Sequence, residues 1–331
     1  MTRPADVPSL VRQAREGSPR AVARLVSLVE DASPALRDVA AALTPHTGRA
    51  RVIGLTGAPG VGKSTTTSAL VRAFRERGRR VGVLAVDPSS PFTGGALLGD
   101  RIRMQDHALD PGVFIRSMAT RGHLGGLAWA TPQAVRVLDG AGFDVVLVET
   151  VGVGQSEVEV AGLADVTVVL LAPGMGDGVQ AAKAGILEVG DVFVVNKADH
   201  DGAQATVRDL RTMISLGMPP GPRTPDTPAP WRPPVLTTVA SAGQGLDELV
   251  AALDEHEAWA RQAGDLRGRR RRRAAREIEA IAVTALRERL GDLGGGDRLD
   301  ALAEDVAAAR TDPYTAADAL LADLAPAPAT P

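Results

Sequence analysis

The sequence predicts an α/β fold in which a mostly parallel sheet is flanked by helices, with further helices at both ends of the chain. Apolar runs of strand length recur at 51–56, 81–86, 143–148, 165–172, 191–195 and 234–241. The first run enters Gly57-Ala58-Pro59-Gly60-Val61-Gly62-Lys63-Ser64-Thr65, and residues 62–77 then read as a helix. Strand, helix and strand at this spacing close as a right-handed crossover, which makes the strands parallel.

At 331 residues with 44 % apolar side chains, the chain can bury a substantial core. Its formal charge of −3 gives no general attraction to nucleic acid or to an anionic membrane. No apolar run approaches the roughly 18 residues of a membrane span, and the first residues lack a basic start followed by an apolar core. A cytoplasmic protein is expected. The absence of cysteine excludes disulfides, thiolate zinc sites and cysteine nucleophiles. The five histidines lack metal-ligand spacing and are expected at the surface or in turns.

Residues 1–48 form an N-terminal segment whose apolar positions, among them Val22, Leu25, Val26 and Val29, recur at helical spacing. Two or three short helices packed on the main domain are expected. In the loop at 57–64, glycines allow consecutive amides to face one oxyanion cluster. Lys63 adds a point charge and Ser64 offers a hydroxyl to magnesium. This is the P-loop, a cradle for a nucleoside triphosphate. Asp87 ends the second strand at the same edge, where it can meet magnesium or water. The stretch 93–104 combines glycines with the carboxylate of Asp100 and suits a loop that senses the γ-phosphate. Glu149 ends the next apolar strand, with Gly152 three residues on, an arrangement that serves the magnesium water shell and the γ-phosphate.

Asn196-Lys197-Ala198-Asp199 follows a further strand and selects the base. A carboxylate at Asp199 accepts from both N1–H and the 2-amino group of guanine, whereas adenine has an acceptor at N1 and no 2-amino group. Unpaired buried polar groups of this kind discriminate by a factor on the order of 10⁴. GTP or GDP is therefore the expected ligand. Counting back from Gly243 and Gly245, the turn that offers an amide to the base oxygen falls at Val239, Ala240 and Ser241.

Residues 217–234 are too proline-rich for a helix or a central strand and predict an extended surface loop. The nucleotide-binding domain is placed at 49–255. A helical region follows at 256–325, where Ile278, Ile281, Ala285 and Leu286 mark one face, and 326–331 form a disordered tail. Arg269 to Arg273 lie beside acidic neighbours without interleaved aromatics, which favours a solvated helix surface over a nucleic-acid contact.

Taken together and in order, the P-loop, Val86-Asp87-Pro88-Ser89-Ser90, the 93–104 segment, Gly122-His123-Leu124-Gly125-Gly126, the Glu149 to Glu157 stretch, Lys183 to Glu188 and Asn196 to Asp199 resemble the MeaB/ArgK family of P-loop GTPases. These are bacterial relatives of the human methylmalonic aciduria type A protein, and the likeness is strong over roughly 48–255. It implies a homodimeric GTPase that chaperones an adenosylcobalamin-dependent acyl-CoA mutase, usually methylmalonyl-CoA mutase. By the same resemblance Ser64, Asp100 and Glu149 form the magnesium set with Asp87 close by. Residues 174–183 look like a switch loop that meets the mutase, and Lys183 looks like its activating cation. The C-terminal helices look like a dimerisation arm. A nucleotide-dependent ATPase or kinase of basic amino-acid transport is the competing reading. Asp199 argues against it, and the lack of cysteine argues against a nickel-insertion GTPase.

Overall fold

A computed structural model describes residues 6–87, 105–107, 109–119, 130–150, 156–174, 186–217, 229–293 and 297–322. The chain divides into two compact units, 1–270 and 271–331.

In the first unit, helices α1 (Val7–Arg15), α2 (Pro19–Glu30) and α3 (Leu36–Leu43) precede strand β1 (Arg51–Thr56) and helix α4 (Lys63–Glu76). Then come β2 (Val81–Asp87), β3 (Val113–Ala119), α5 (Thr131–Gly140), β4 (Val145–Thr150), α6 (Ser156–Leu163) and β5 (Val166–Leu171). The unit continues through α7 (Ile186–Val189), β6 (Val192–Asn196), α8 (Ala203–Gly217), β7 (Val235–Thr238) and α9 (Leu246–Gln262) to the first turns of α10 (Asp265–Leu293). The sheet has seven strands in the order β3-β2-β4-β1-β5-β6-β7, and every neighbouring pair is parallel.

Because β1, β4, β5 and β6 are buried along their whole length, both faces of the sheet are covered and the strands read as continuous apolar runs. Alternate residues supply two cores. Val52, Val146 and Val148 face α5 and the N-terminal helices, where Val22, Leu25 and Val26 lie, while Ile53, Leu55 and Leu147 face α4 and α9. The N-terminal helices are thus one wall of the core. Asp6 caps α1 through the amide of Ser9 at 3.1 Å, and Ser18 caps α2 ahead of Pro19 at the first helical position.

Strand β3 and helices α5, α6 and α8 escape the sequence reading. The edge strand β3 carries Arg116 in mid-strand, which interrupts its apolar run and reaches Glu30 and Ser27 of α2. The proline-rich stretch has no regular structure at 229–234, and its residues 218–228 lie outside the described ones.

The amino-terminal edge of the sheet corrects the reading of the arginine run. Arg269 holds both oxygens of Asp191, just before β6, at 2.7 and 2.8 Å and reaches Asp265 at 2.6 Å. Arg270 holds Asp165, just before β5, at 2.8 and 3.2 Å, and donates to the carbonyls of Gly48 and Ala50. The same carboxylates accept the amides of Val52 and Thr167, so each also ties adjacent strands. Two members of the run are therefore partly buried anchors rather than solvated charges. Burial favours the neutral form of each group. Hydrogen bonds and charge from His256 and Arg269 nevertheless hold the Asp191 carboxyl below its ordinary range, and Asp191 and Asp165 hold the two guanidiniums above theirs.

His256 departs from its expected surface position. It is 1 % exposed, with Trp231 edge-on at a ring separation of 4.9 Å and Trp259 at 5.7 Å. His107 is buried too, with Nε2 3.0 Å from Ser68 Oγ.

In the second unit, the remainder of α10 is followed by α11 (Asp297–Ala307) and α12 (Pro313–Ala322). Ile278 is 68 % exposed and Ile281 and Leu286 about half. Asp312 caps α12 through the amides of Tyr314 and Thr315.

Asp191→Ala leaves Arg269 without its main counter-charge and the Thr167 amide unpaired, and should destabilise the fold by about 3 kcal/mol in denaturant unfolding at neutral pH. A carboxyl held low in the folded state contributes stability above its ordinary range, which is lost as the pH falls through the folded value. The difference between wild type and Asp191→Ala should therefore shrink below about pH 4.

A candidate nucleotide site at the carboxyl edge of the sheet

The chain leaves β1 toward β2 on one side and returns through β4 to β5 on the other, so the crevice of the sheet opens at the carboxyl end of β1. The loop 57–62 fills it. Gly57 has φ +142°, and a Cβ there would stand 2.2 Å from the carbonyl oxygen of Leu170, so only glycine lets the loop start against β5. Gly62, at φ +96°, precedes α4 as its cap, and a Cβ would meet the Asn196 amide at 2.3 Å. No side chain caps α4, which leaves its first amides oriented for an external anion.

Lys63 is almost fully buried, with Nζ 2.7 Å from the carbonyl oxygen of Gly57 and 3.0 Å from that of Ala58. Its ammonium lies curled into the loop itself. Ala58 is half-buried, Pro59 and Gly60 are exposed, Val61 is buried and Thr65 faces outward. Glu149, next to last in β4 and 3 % exposed, accepts from Ser64 Oγ at 2.6 Å. A buried carboxylate paired with a hydroxyl at the head of a phosphate-type loop is a hard-oxygen donor set that suits magnesium.

On the other side of the loop stands Asn196, the last residue of β6. Its Nδ2 donates to the Val61 carbonyl at 2.9 Å, while Oδ1 accepts from Thr238 Oγ1 at 3.0 Å and from the Ala240 amide at 3.1 Å. One buried amide thus joins three chain segments. Lys197 follows at φ +56°, a left-handed turn unusual for a residue with a side chain, after which Asp199 is exposed. At 240–242 the chain makes a short 3₁₀ turn. The Val239 amide is taken by the Gln244 carbonyl and that of Ala240 by Asn196, whereas Ser241 is exposed.

The loop residues, Glu149 and Asn196 therefore meet at one edge, with 239–241 joined to them through Asn196. The backbone of Asp87 ends β2 at that edge; its side chain, and Asp100 and Lys183 entirely, lie outside the described residues. Thr67 is a member of the site that sequence reasoning misses. Its Oγ1 is 2.9 Å from Glu149 Oε2, and a signal exists in the sequence, because Thr67 stands three residues after Ser64 on one helix face.

A family model described as "Methylmalonyl Co-A mutase-associated GTPase MeaB" matches residues 22–292. A Pyrococcus abyssi protein that carries a GTPase name is 45 % identical over 96 % of this chain and 97 % of its own length. The Escherichia coli protein "GTPase ArgK" is 39 % identical over 76 % of each chain. Among solved structures, a "LAO/AO transport system kinase" superposes with a TM-score of 0.68 and 28 % identity, covering 98 % of this chain and 99 % of the other.

Asn196→Ala leaves the Val61 carbonyl, the Thr238 hydroxyl and the Ala240 amide without their buried partner, and should cost about 2–4 kcal/mol of stability. Denaturant unfolding measures that loss, and guanine-nucleotide affinity should fall with it by about tenfold or more.

Proposed function

Because the chain belongs to the MeaB family of GTPases, we propose that it is a GTP-driven chaperone of an adenosylcobalamin-dependent acyl-CoA mutase, with methylmalonyl-CoA mutase the first candidate. The family's name links it to that mutase, and relatives of this chain are named GTPases. In this reading, hydrolysis gates cofactor loading and protects the mutase from inactivation. The supporting observation in the fold is the Asn196 amide, which ties the loop of Lys63 and Ser64 to the turn at 239–241. A ligand with phosphates at one end and a base at the other would span these two.

The proposed roles follow position and chemistry. Residues 57–65 cradle the phosphates, and Lys63 leaves its two loop carbonyls to meet the β/γ-phosphates. Ser64, Asp100 and Glu149, with Asp87 near, would hold magnesium, which when bound would offset the negative charge of the phosphates. Asn196 and Lys197 shape the base pocket, Asp199 reads N1–H and the 2-amino group, and the amide of Ser241 serves the base oxygen. Lys183, which follows Gly174 in the sequence, would be the cation that meets the phosphates when the mutase docks. The exposed Ile278, Ile281 and Leu286 on α10 supply a homodimer face. No role for nucleic acid or membrane is proposed, and no helix among the described residues is long and apolar enough to cross a membrane.

The name of the similar transport system kinase favours a second reading, a kinase linked to basic amino-acid transport. Nucleotide choice separates the two. Calorimetric titration should give GTP binding far tighter than ATP binding, and Asp199→Asn should lose GTP and gain xanthosine triphosphate, whose 2-oxo group accepts from an amide. Equal affinity for ATP and GTP in the wild type would favour the kinase reading.

Lys63→Ala should abolish triphosphate binding, whereas Glu149→Ala should keep much of it and lose magnesium-dependent turnover. Lys183→Ala should retain GTP affinity and the slow basal rate while losing most of the stimulation by the mutase, a cation effect worth roughly 10³ in rate. Single-turnover hydrolysis with and without purified mutase measures both. Undiminished stimulation of Lys183→Ala would assign the charge to the partner or elsewhere in this chain.

A further inference from the structure

Thr67 is fully buried on α4, and its hydroxyl lies 2.9 Å from Glu149 Oε2 while Ser64 Oγ lies 2.6 Å from Oε1. Two residues one helical turn apart therefore address the two oxygens of one carboxylate. The Thr67 hydroxyl is also 3.0 Å from the carbonyl of Lys63, the usual back-bond of a threonine in a helix. It has one proton to give. The Lys63 carbonyl, 3.0 Å away, already accepts an amide of the helical ladder, whereas Glu149 Oε2 is the nearer acceptor at 2.9 Å. The proton belongs to Glu149.

We propose that Thr67 is a positioning residue of the magnesium site, fixing the plane of the Glu149 carboxylate so that Oε1 faces Ser64 and the cation. This rests on the reading of Ser64 and Glu149 as magnesium residues. The terminal torsion of a glutamate is soft, with broad minima. Magnesium demands near-octahedral geometry at about 2.0–2.1 Å and tolerates little rotation of a group that contacts it or its waters. Thr67 restrains that torsion through Oε2 while Ser64 addresses Oε1, and acts through Glu149 without touching the nucleotide.

The test uses the full chain loaded with a fluorescent GDP analogue and follows its release as magnesium is titrated. Thr67→Val, nearly isosteric and lacking the hydroxyl, should raise the magnesium midpoint for nucleotide retention about tenfold, equivalent to about 1.4 kcal/mol. Release in excess EDTA should stay within twofold of wild type, and Thr67→Ser should restore the midpoint. Thr67→Ala serves as the hydroxyl-free variant if the valine chain does not fold. A wild-type midpoint in the hydroxyl-free chain overturns the proposal, and so does faster release in EDTA by the same factor, which would mark damage to the cradle itself. Glu149→Gln separates the two levels. If it raises the midpoint while Thr67→Val does not, only the role of Thr67 falls; if it leaves the midpoint unchanged, the magnesium reading falls and Thr67 with it.

Discussion

The side-chain amide of Asn196 is the interaction on which the nucleotide edge of this protein depends. The loop after β1 and the turn after β7 belong to strands with two others between them, β5 and β6, and no backbone ladder joins them. A residue at the end of β6 with one donor pair and one acceptor can serve both, provided that the loop comes close enough. Gly62 provides that closeness, since any side chain there would displace the Asn196 amide. Glycine in the loop and asparagine in the tetrad are therefore one constraint expressed at two places in the sequence.

The opposite edge is organised by charge. Asp165 and Asp191 each stand one residue before a strand, accept an amide from the neighbouring strand and receive an arginine from the start of α10. A buried carboxylate is tolerable only when its lone pairs are filled, and these two are filled by backbone and guanidinium together. The forked guanidinium suits the task, because each arginine holds two oxygens in one plane.

Most of the sheet was legible in the sequence, because buried parallel strands are continuous apolar runs and the loop glycines mark where β1 ends. Strand β3 was not, since Arg116 gives it the look of a loop until Glu30 is known to lie opposite. Within the arginine run nothing in the local pattern distinguishes Arg269 and Arg270 from Arg271; only the tertiary position of two aspartates does. His256 could have been found. It falls with Leu249, Leu253 and Ala260 at spacings of four, three and four, the buried face of α9. Of the site, the loop and the tetrad were readable from motifs, and Thr67 was signalled only by its spacing from Ser64, whereas the bridging work of Asn196 needed three dimensions.

The core between the sheet and the N-terminal helices has an order of synthesis that its contacts conceal. Helices α1 to α3 are made before α5 and β4, yet these later elements, about a hundred residues on, are part of the surface that buries Val22, Leu25 and Val26. At common elongation rates of roughly 5–20 residues per second, Val22, Leu25 and Val26 wait on the order of ten seconds for α5 and β4, with α1, α3 and residues of β1 and β2 as their earlier partners. The N-terminal wall of the core is therefore complete only once α5 and β4 have been made.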